Sequence, residues 1–197
     1  MNAGRRCEDP FRIVFVCTGN RARSPLAQAL FETYTTGLDV SARSFGTLDV
    51  PGAPALPEAV TAGRRLGADL AAHVSRSLRD ADLSQDDLVL GFEPQHVRTA
   101  VVDARANIAR TFLLAELVPL LDVPVTSDDL CASARFVVSV ADSRRDRMRP
   151  DPSRTISDPY GRPEKEMQRI AEEVDRLVRE VVRGLFGVVA APARSPV

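Results

Sequence analysis

The sequence predicts an α/β fold, a four-stranded parallel sheet flanked by helices on both faces. Three observations carry this reading. Strand-like and helix-like signals alternate between residues 11 and 186, the order expected when crossover helices join parallel strands. The strand-like runs, Phe11 to Val16 above all, are β-branched and aromatic without polar alternation, as in strands buried on both sides. The chain of 197 residues, 44% hydrophobic and 27% charged, can fill one substantial core, and it shows neither an internal repeat nor a second domain. One domain is therefore expected over residues 11–186, with flexible ends at 1–10 and 190–197.

The elements follow in order. Phe11 to Val16 is the first strand. Ser24 to Tyr34 is a helix, since the ring of Pro25 suits a first turn and Leu26, Ala29, Leu30 and Thr33 share a face. Leu38 to Phe45 is the second strand. Leu48 to Pro57 is a proline-rich loop, and Pro57 to Leu66 a helix that Gly67 is placed to stop. Asp87 to Phe92 is the third strand, followed by a helix near Pro94 to Ala104. Ile108 to Leu113 is the fourth, followed by a short helix near Ala115 to Leu121. Thr126 to Met148 reads as a helix, although Val137, Val138 and Val140 allow part of it to be extended. Arg149 to Pro163, rich in Pro, Asp, Ser and Gly, is loop, and a loop of that length is usually functional or disordered. Glu164 to Phe186 carries the clearest helical stripe, with Met167, Ile170, Val174, Leu177, Val178 and Val181 on one side. Ala190 to Val197 reads as a frayed tail.

Composition narrows the functional classes. A formal net charge of −1 provides no basic field, so neither nucleic acid nor a membrane surface is an expected partner. No apolar run is long enough to span a bilayer, and the run behind Arg5 and Arg6 is too short for a signal peptide. A cytoplasmic location follows as an expectation, in which Cys17 stays reduced. The three cysteines, at 7, 17 and 131, form no disulfide framework, and Cys7 and Cys131 are read as incidental. No C-x-x-C pair or Cys/His cluster suggests a metal, and no cofactor is expected.

The chemistry concentrates where the first strand ends, at Cys17-Thr18-Gly19-Asn20-Arg21-Ala22-Arg23-Ser24-Pro25. A strand, a tight loop and a helix start form an anion cradle in which the backbone N–H groups of residues 18–24 converge on one group. Gly19 offers unusual backbone freedom, and Asn20 tolerates the left-handed region and can pin the loop with its amide. Arg23 supplies a planar fork matched to two phosphate oxygens. Cys17 is placed to attack, held as a thiolate by the surrounding positive field, with the hydroxyl of Ser24 donating to it. A cysteine ending a core strand is by itself more often simply buried. In combination the residues point to phosphate-ester hydrolysis through a cysteinyl-phosphate.

This stretch resembles the signature C-x-G-N-x-C-R-S-P of low-molecular-weight protein tyrosine phosphatases, on Cys17, Gly19, Asn20, Arg23, Ser24 and Pro25. The resemblance implies a phosphatase phosphate-binding loop after the first strand and catalytic roles for Cys17 and Arg23. It also implies phosphate binding by Thr18, Gly19, Asn20, Arg21, Ala22, Arg23 and Ser24. The family's acid is the aspartate of an Asp-Pro-aromatic loop before the last helix, which Asp158-Pro159-Tyr160 matches. The same tetrapeptide with Gly161 would otherwise read as a turn.

Ser44 follows the family's segment after the second strand and would anchor Asn20, and His73 would join that network. Leu48, Val50 and Tyr160 would form the substrate pocket, less aromatic than is usual in the family. His96 is read as a structural or exposed residue of a surface helix. Ala22 stands where the family usually has a second cysteine, so no local disulfide is expected to protect Cys17 from peroxide. The implied substrate is a phosphotyrosine protein or aryl phosphate, a bacterial tyrosine kinase among the candidates. Arsenate reduction on the same scaffold would need further cysteines near the third strand, where there are none. A phosphate-binding module without catalysis would be expected to have lost Cys17, Arg23 or Asp158.

Overall fold

The computed structural model describes residues 7, 9–123, 129–146 and 151–188. The four strands are β1 (Phe11–Cys17), β2 (Val40–Gly46), β3 (Leu88–Gly91) and β4 (Thr111–Leu113). All pair in parallel, in the order β2-β1-β3-β4. The helices are α1 (Arg23–Tyr34), α2 (Pro57–Arg65), α3 (Pro94–Asp103), α4 (Leu114–Leu117), α5 (Leu130–Arg144) and α6 (Glu164–Phe186). The predicted four-stranded parallel α/β fold is the observed one.

Alternation along β1 divides the core in two. Phe11, Ile13 and Phe15 face a large cluster built with α1, α5 and α6, including Leu26, Leu30, Val137, Val174 and Val178. Val14 and Val16 face a smaller cluster with Leu78, Leu83, Ala100 and Ala104. Both faces of β1 are thus apolar, which is why its sequence shows no polar alternation. The ring of Phe11 meets Phe186 edge-on at 5.6 Å, which ties the first strand to the last helix.

The structure departs from the sequence reading at the fourth strand and decides the alternative left at Val137, Val138 and Val140. Ile108 to Arg110 is a 3-10 turn and the fourth strand only begins at Thr111, because Asn107 caps that turn through the N–H of Ala109. Val137, Val138 and Val140 are helical, since burial of Val137 and Val138 in the larger cluster outweighs their β preference. Residues 126–128 and 147–148 of the expected helix lie outside the described residues, as does the expected tail at 190–197.

Cys7 and Cys131 are not incidental: they are joined in a disulfide between the segment before β1 and the first turn of α5. Close by, Arg135 donates to the carbonyl oxygens of Asp9 and Pro10 and to the carboxylate of Asp87. The described residues of the first ten are thereby fastened to α5.

Candidate active site

β1 is the point at which strand order reverses, with β2 on one side and β3 on the other. In open parallel sheets the crevice beyond the strand ends at such a point is where ligands bind. Cys17, the last residue of β1, opens into that crevice, with Gly46 beside it on β2. Gly46 is required by close approach: a Cβ there would lie 2.9 Å from the carbonyl oxygen of Thr18 and 3.0 Å from the nitrogen of Asn20.

The loop from Thr18 to Ala22 curls over the strand end and enters α1 at Arg23. Asn20 takes the left-handed conformation, with φ of 50°. Gly19, expected to supply backbone freedom, does not have a positive φ, and its missing Cβ would touch nothing within 4 Å. The sharp turn is therefore made by Asn20, whose fully buried side chain is pinned on every side. Its amide nitrogen donates to Ser24 Oγ and to Ser44 Oγ, both at 2.9 Å, and its Oδ1 accepts from the backbone of Arg76 at 2.8 Å. His73 Nε2 donates to the backbone oxygen of Asn20 at 2.7 Å, and burial pushes the His73 pKa below the ordinary histidine value.

Cys17 Sγ lies 3.0 Å from Ser24 Oγ, and among the described residues it is the free cysteine. Arg23 is 1% exposed and almost fully engaged. Its Nη1 donates to Glu93 Oε2 at 2.7 Å and to the carbonyl oxygen of Ile156 at 2.8 Å. Its Nη2 donates to Asp158 Oδ2 at 2.6 Å and to Thr18 Oγ1 at 3.0 Å. Its Nε is buried with no acceptor among the described residues. Asp158 is held at its other oxygen by the backbone N–H of Tyr160, at 3.0 Å.

These groups surround a cavity of about 280 Å³, lined by Cys17, Thr18, Gly19, Arg21, Ala22, Arg23, Leu48, Val50, Leu56, Asp158 and Tyr160. The cavity gathers the expected Cys17, Arg23 and Asp158 although they come from β1, α1 and the loop before α6. Leu48, Val50 and Tyr160 form its mouth and are exposed there. Ser44 and His73 lie behind it, against Asn20.

Leu56 in the cavity wall was not among the expected pocket residues, and the roles of Glu93 and His96 also escaped the sequence reading. Glu93, at the start of α3, pairs with Arg23, and His96 is fully buried rather than exposed. Its Nε2 sits 3.1 Å from Thr18 Oγ1, and Gly91 makes room for it, since a Cβ there would lie 3.0 Å from His96 Cβ. The available signal was Glu93-Pro94-Gln95-His96 directly after the third strand: a helix start at the crevice, with the side chain at its third position able to cap the turn.

Comparison with known proteins agrees with this arrangement. A family model described as low molecular weight phosphotyrosine protein phosphatase matches residues 12–125. A protein-arginine-phosphatase of Bacillus subtilis is 38% identical over 108 residues, covering 54% of this chain and 71% of the relative. A low molecular weight protein-tyrosine-phosphatase of Streptomyces coelicolor is 34% identical over 128 residues, covering 58% of this chain and 76% of the relative. The crystal structure of a low molecular weight protein tyrosine phosphatase from T. tengcongensis superimposes with a TM-score of 0.65 at 28% identity, over 88% of this chain and 98% of that one. With a cysteine at the end of β1, a parallel sheet in this order and this family match, the chain belongs to the low molecular weight phosphotyrosine protein phosphatase family and is a cysteine-dependent phosphatase.

Proposed function

We propose that the protein hydrolyses phosphotyrosine, or another aryl phosphate monoester, through a cysteinyl-phosphate formed on Cys17. The observation that carries the reading is the convergence of Cys17 and Arg23, from one loop, with Asp158, 135 residues beyond Arg23, on one cavity. The Cys17 thiolate attacks phosphorus, and an S–P bond forms as the P–O bond to the aryl group breaks. Asp158 gives its proton to the leaving oxygen. Backbone N–H groups of residues 18–24 and the Arg23 fork hold the phosphoryl oxygens. Water then attacks phosphorus, Asp158 takes its proton, and the S–P bond breaks, with Ser24 donating to the departing sulfur.

The ion pair between Arg23 and Asp158, 2.6 Å long, bears on the first step. A phosphate that takes Arg23 Nη2 and the unused Nε displaces Asp158, which is then free to face the leaving group. Ser44 and His73 act on Asn20 and keep the loop in shape.

Leu48, Val50, Leu56 and Tyr160 suit an aromatic leaving group. Arg21 lines the same cavity, and its Nε is tied to the carbonyl oxygen of Pro54 at 2.8 Å, so a positive charge stands in the wall. That charge disfavours a cationic leaving group. A phosphoarginine substrate is the second reading, because two relatives are named protein-arginine-phosphatase and the mouth holds a single aromatic ring. A bacterial tyrosine kinase is a candidate protein substrate, by family resemblance. The cytoplasm is the proposed location, where the Cys7–Cys131 pair would be a dithiol, and alkylation of thiols during cell lysis reads its state directly.

Replacing Cys17 by Ser tests the mechanism. Turnover of p-nitrophenyl phosphate should vanish while inorganic phosphate still binds, and turnover equal to wild type would refute the cysteinyl-phosphate. Matched phosphotyrosine and phosphoarginine peptides separate the two substrates. After mild peroxide, mass spectrometry should find Cys17 as an oxyacid, since Ala22 offers it no partner, and a Cys17 disulfide would overturn that expectation.

A further inference from the structure

The hydrogen bonds around Thr18 leave its hydroxyl a single direction in which to act. His96 Nδ1 accepts from the backbone N–H groups of Phe92, at 3.3 Å, and Glu93, at 3.1 Å. A nitrogen that accepts twice carries no proton, so the one proton of the neutral ring is on Nε2. The Nε2–H group is 3.1 Å from Thr18 Oγ1 and donates to it. Arg23 Nη2 donates to the same oxygen at 3.0 Å. A hydroxyl has two lone pairs and one proton. Both lone pairs of Thr18 are taken, and the proton remains to be given away. Thr18 lines the cavity together with Cys17, Arg23 and Asp158.

We propose that Thr18 donates its hydroxyl proton to the phosphoryl group bound at Cys17, and that His96 and Glu93 are positioning residues that aim it. His96 sets the rotor by filling one lone pair from beneath. Glu93 acts through Arg23: by holding Nη1 at 2.7 Å, with the carbonyl oxygen of Ile156 on the same nitrogen, it turns Nη2 toward Thr18. The loop thereby gains a side-chain donor in addition to its backbone N–H groups. Burial and the nearby charge of Arg23 push the His96 pKa down to about 4, so the ring keeps this neutral tautomer at neutral pH.

The inference rests on the phosphatase reading, and its test separates the two. In steady-state turnover of p-nitrophenyl phosphate, Thr18→Val should lower kcat about 100-fold, the loss typical of one preorganised donor. Thr18→Ser, which keeps the hydroxyl, should stay within about threefold of wild type on the same scale. His96→Phe should fall as far as Thr18→Val, and the double variant should be no slower than either single one, because His96 acts through that hydroxyl. His96→Gln, whose amide can donate from a similar position, should recover part of the loss. A Thr18→Val enzyme as fast as wild type overturns the proposal, as does a double variant whose losses multiply. The Thr18 pair decides the matter even where His96→Phe does not fold. If these variants are unaffected while Cys17→Ser is inactive, the inference alone fails; turnover by Cys17→Ser would remove the reading beneath it.

Discussion

On one flank of the Cys17 loop, Asn20 is fastened by neutral partners: Ser24, Ser44, the backbone of Arg76 and, through its own carbonyl, His73. On the other, Arg23 is fastened by charge, with Glu93 and Asp158 on either end of its fork. On the first flank Asn20, Ser24 and Ser44 are buried and the amide is fully satisfied. The second keeps one buried donor, Arg23 Nε, without an acceptor among the described residues, and its Asp158 is more than a third exposed. Neutral hydrogen bonds contribute about 1 kcal/mol each and give the loop its shape. A buried guanidinium is costly to desolvate and must keep a partner, but it can exchange one anion for another. The difference teaches that, on the proposed mechanism, shape and turnover fall on opposite flanks.

The largest expected effect lies on the charged flank. Asp158→Asn should slow p-nitrophenyl phosphate turnover by about 100-fold or more, as for loss of a general acid. Inorganic phosphate should bind at least as tightly, since its competitor for Arg23 Nη2 has lost its charge. An unchanged rate would hand the acid role to another carboxylate, such as Asp142, Asp146 or Asp151, and would erase the functional contrast between the flanks.

Next comes pH. The His96 pKa falls from 6.5 in the unfolded chain to about 4 in the fold, through burial and then the charge of Arg23. A depressed pKa means the unfolded chain binds the proton first. The stabilisation is therefore complete above pH 6.5, declines as pH falls, and is gone below about 4. It amounts to about 3 kcal/mol in all. Urea unfolding at a series of pH values should show that extra slope in wild type and not in His96→Gln. Parallel profiles would mean that His96 is not held neutral beneath the charged flank.

On the neutral flank, Asn20→Ala should cost about 3 kcal/mol of unfolding free energy, from orphaned partners and from the left-handed backbone. Asn20→Gly should recover about 1 kcal/mol by removing the backbone part. Gly46→Ala should cost about 2 kcal/mol, because its new Cβ meets backbone atoms that cannot turn away. Thermal melts without loss would show that the loop is held from the Arg23 side instead.

Much of this was legible beforehand, and for identifiable reasons. Phe11 to Val16, Ser24 to Tyr34 and Glu164 to Phe186 were readable because period, proline placement and burial all agree within a single segment. Cys17, Arg23 and Ser24 were readable because the anion cradle is local, made by consecutive residues. Glu93 and His96 were obscure because their partners lie 70 and 78 residues away. A histidine in a helix with ordinary polar neighbours carries no mark of what it meets. The Cys7–Cys131 bond spans 124 residues and was missed for the same reason.

The amino-acid sequence alone determined the fold class, the nucleophile loop and the family, since each depends on side chains close together along the chain. The tertiary structure decided what surrounds the guanidinium of Arg23: which carboxylates hold it, which nitrogen stays open, and which hydroxyl is aimed beside it. Those contacts join the loop after β1, α1, the cap of α3 and the loop before α6. They arise because packing on a parallel sheet carries the strand ends to one edge, where charges far apart in sequence must find partners or remain costly to bury.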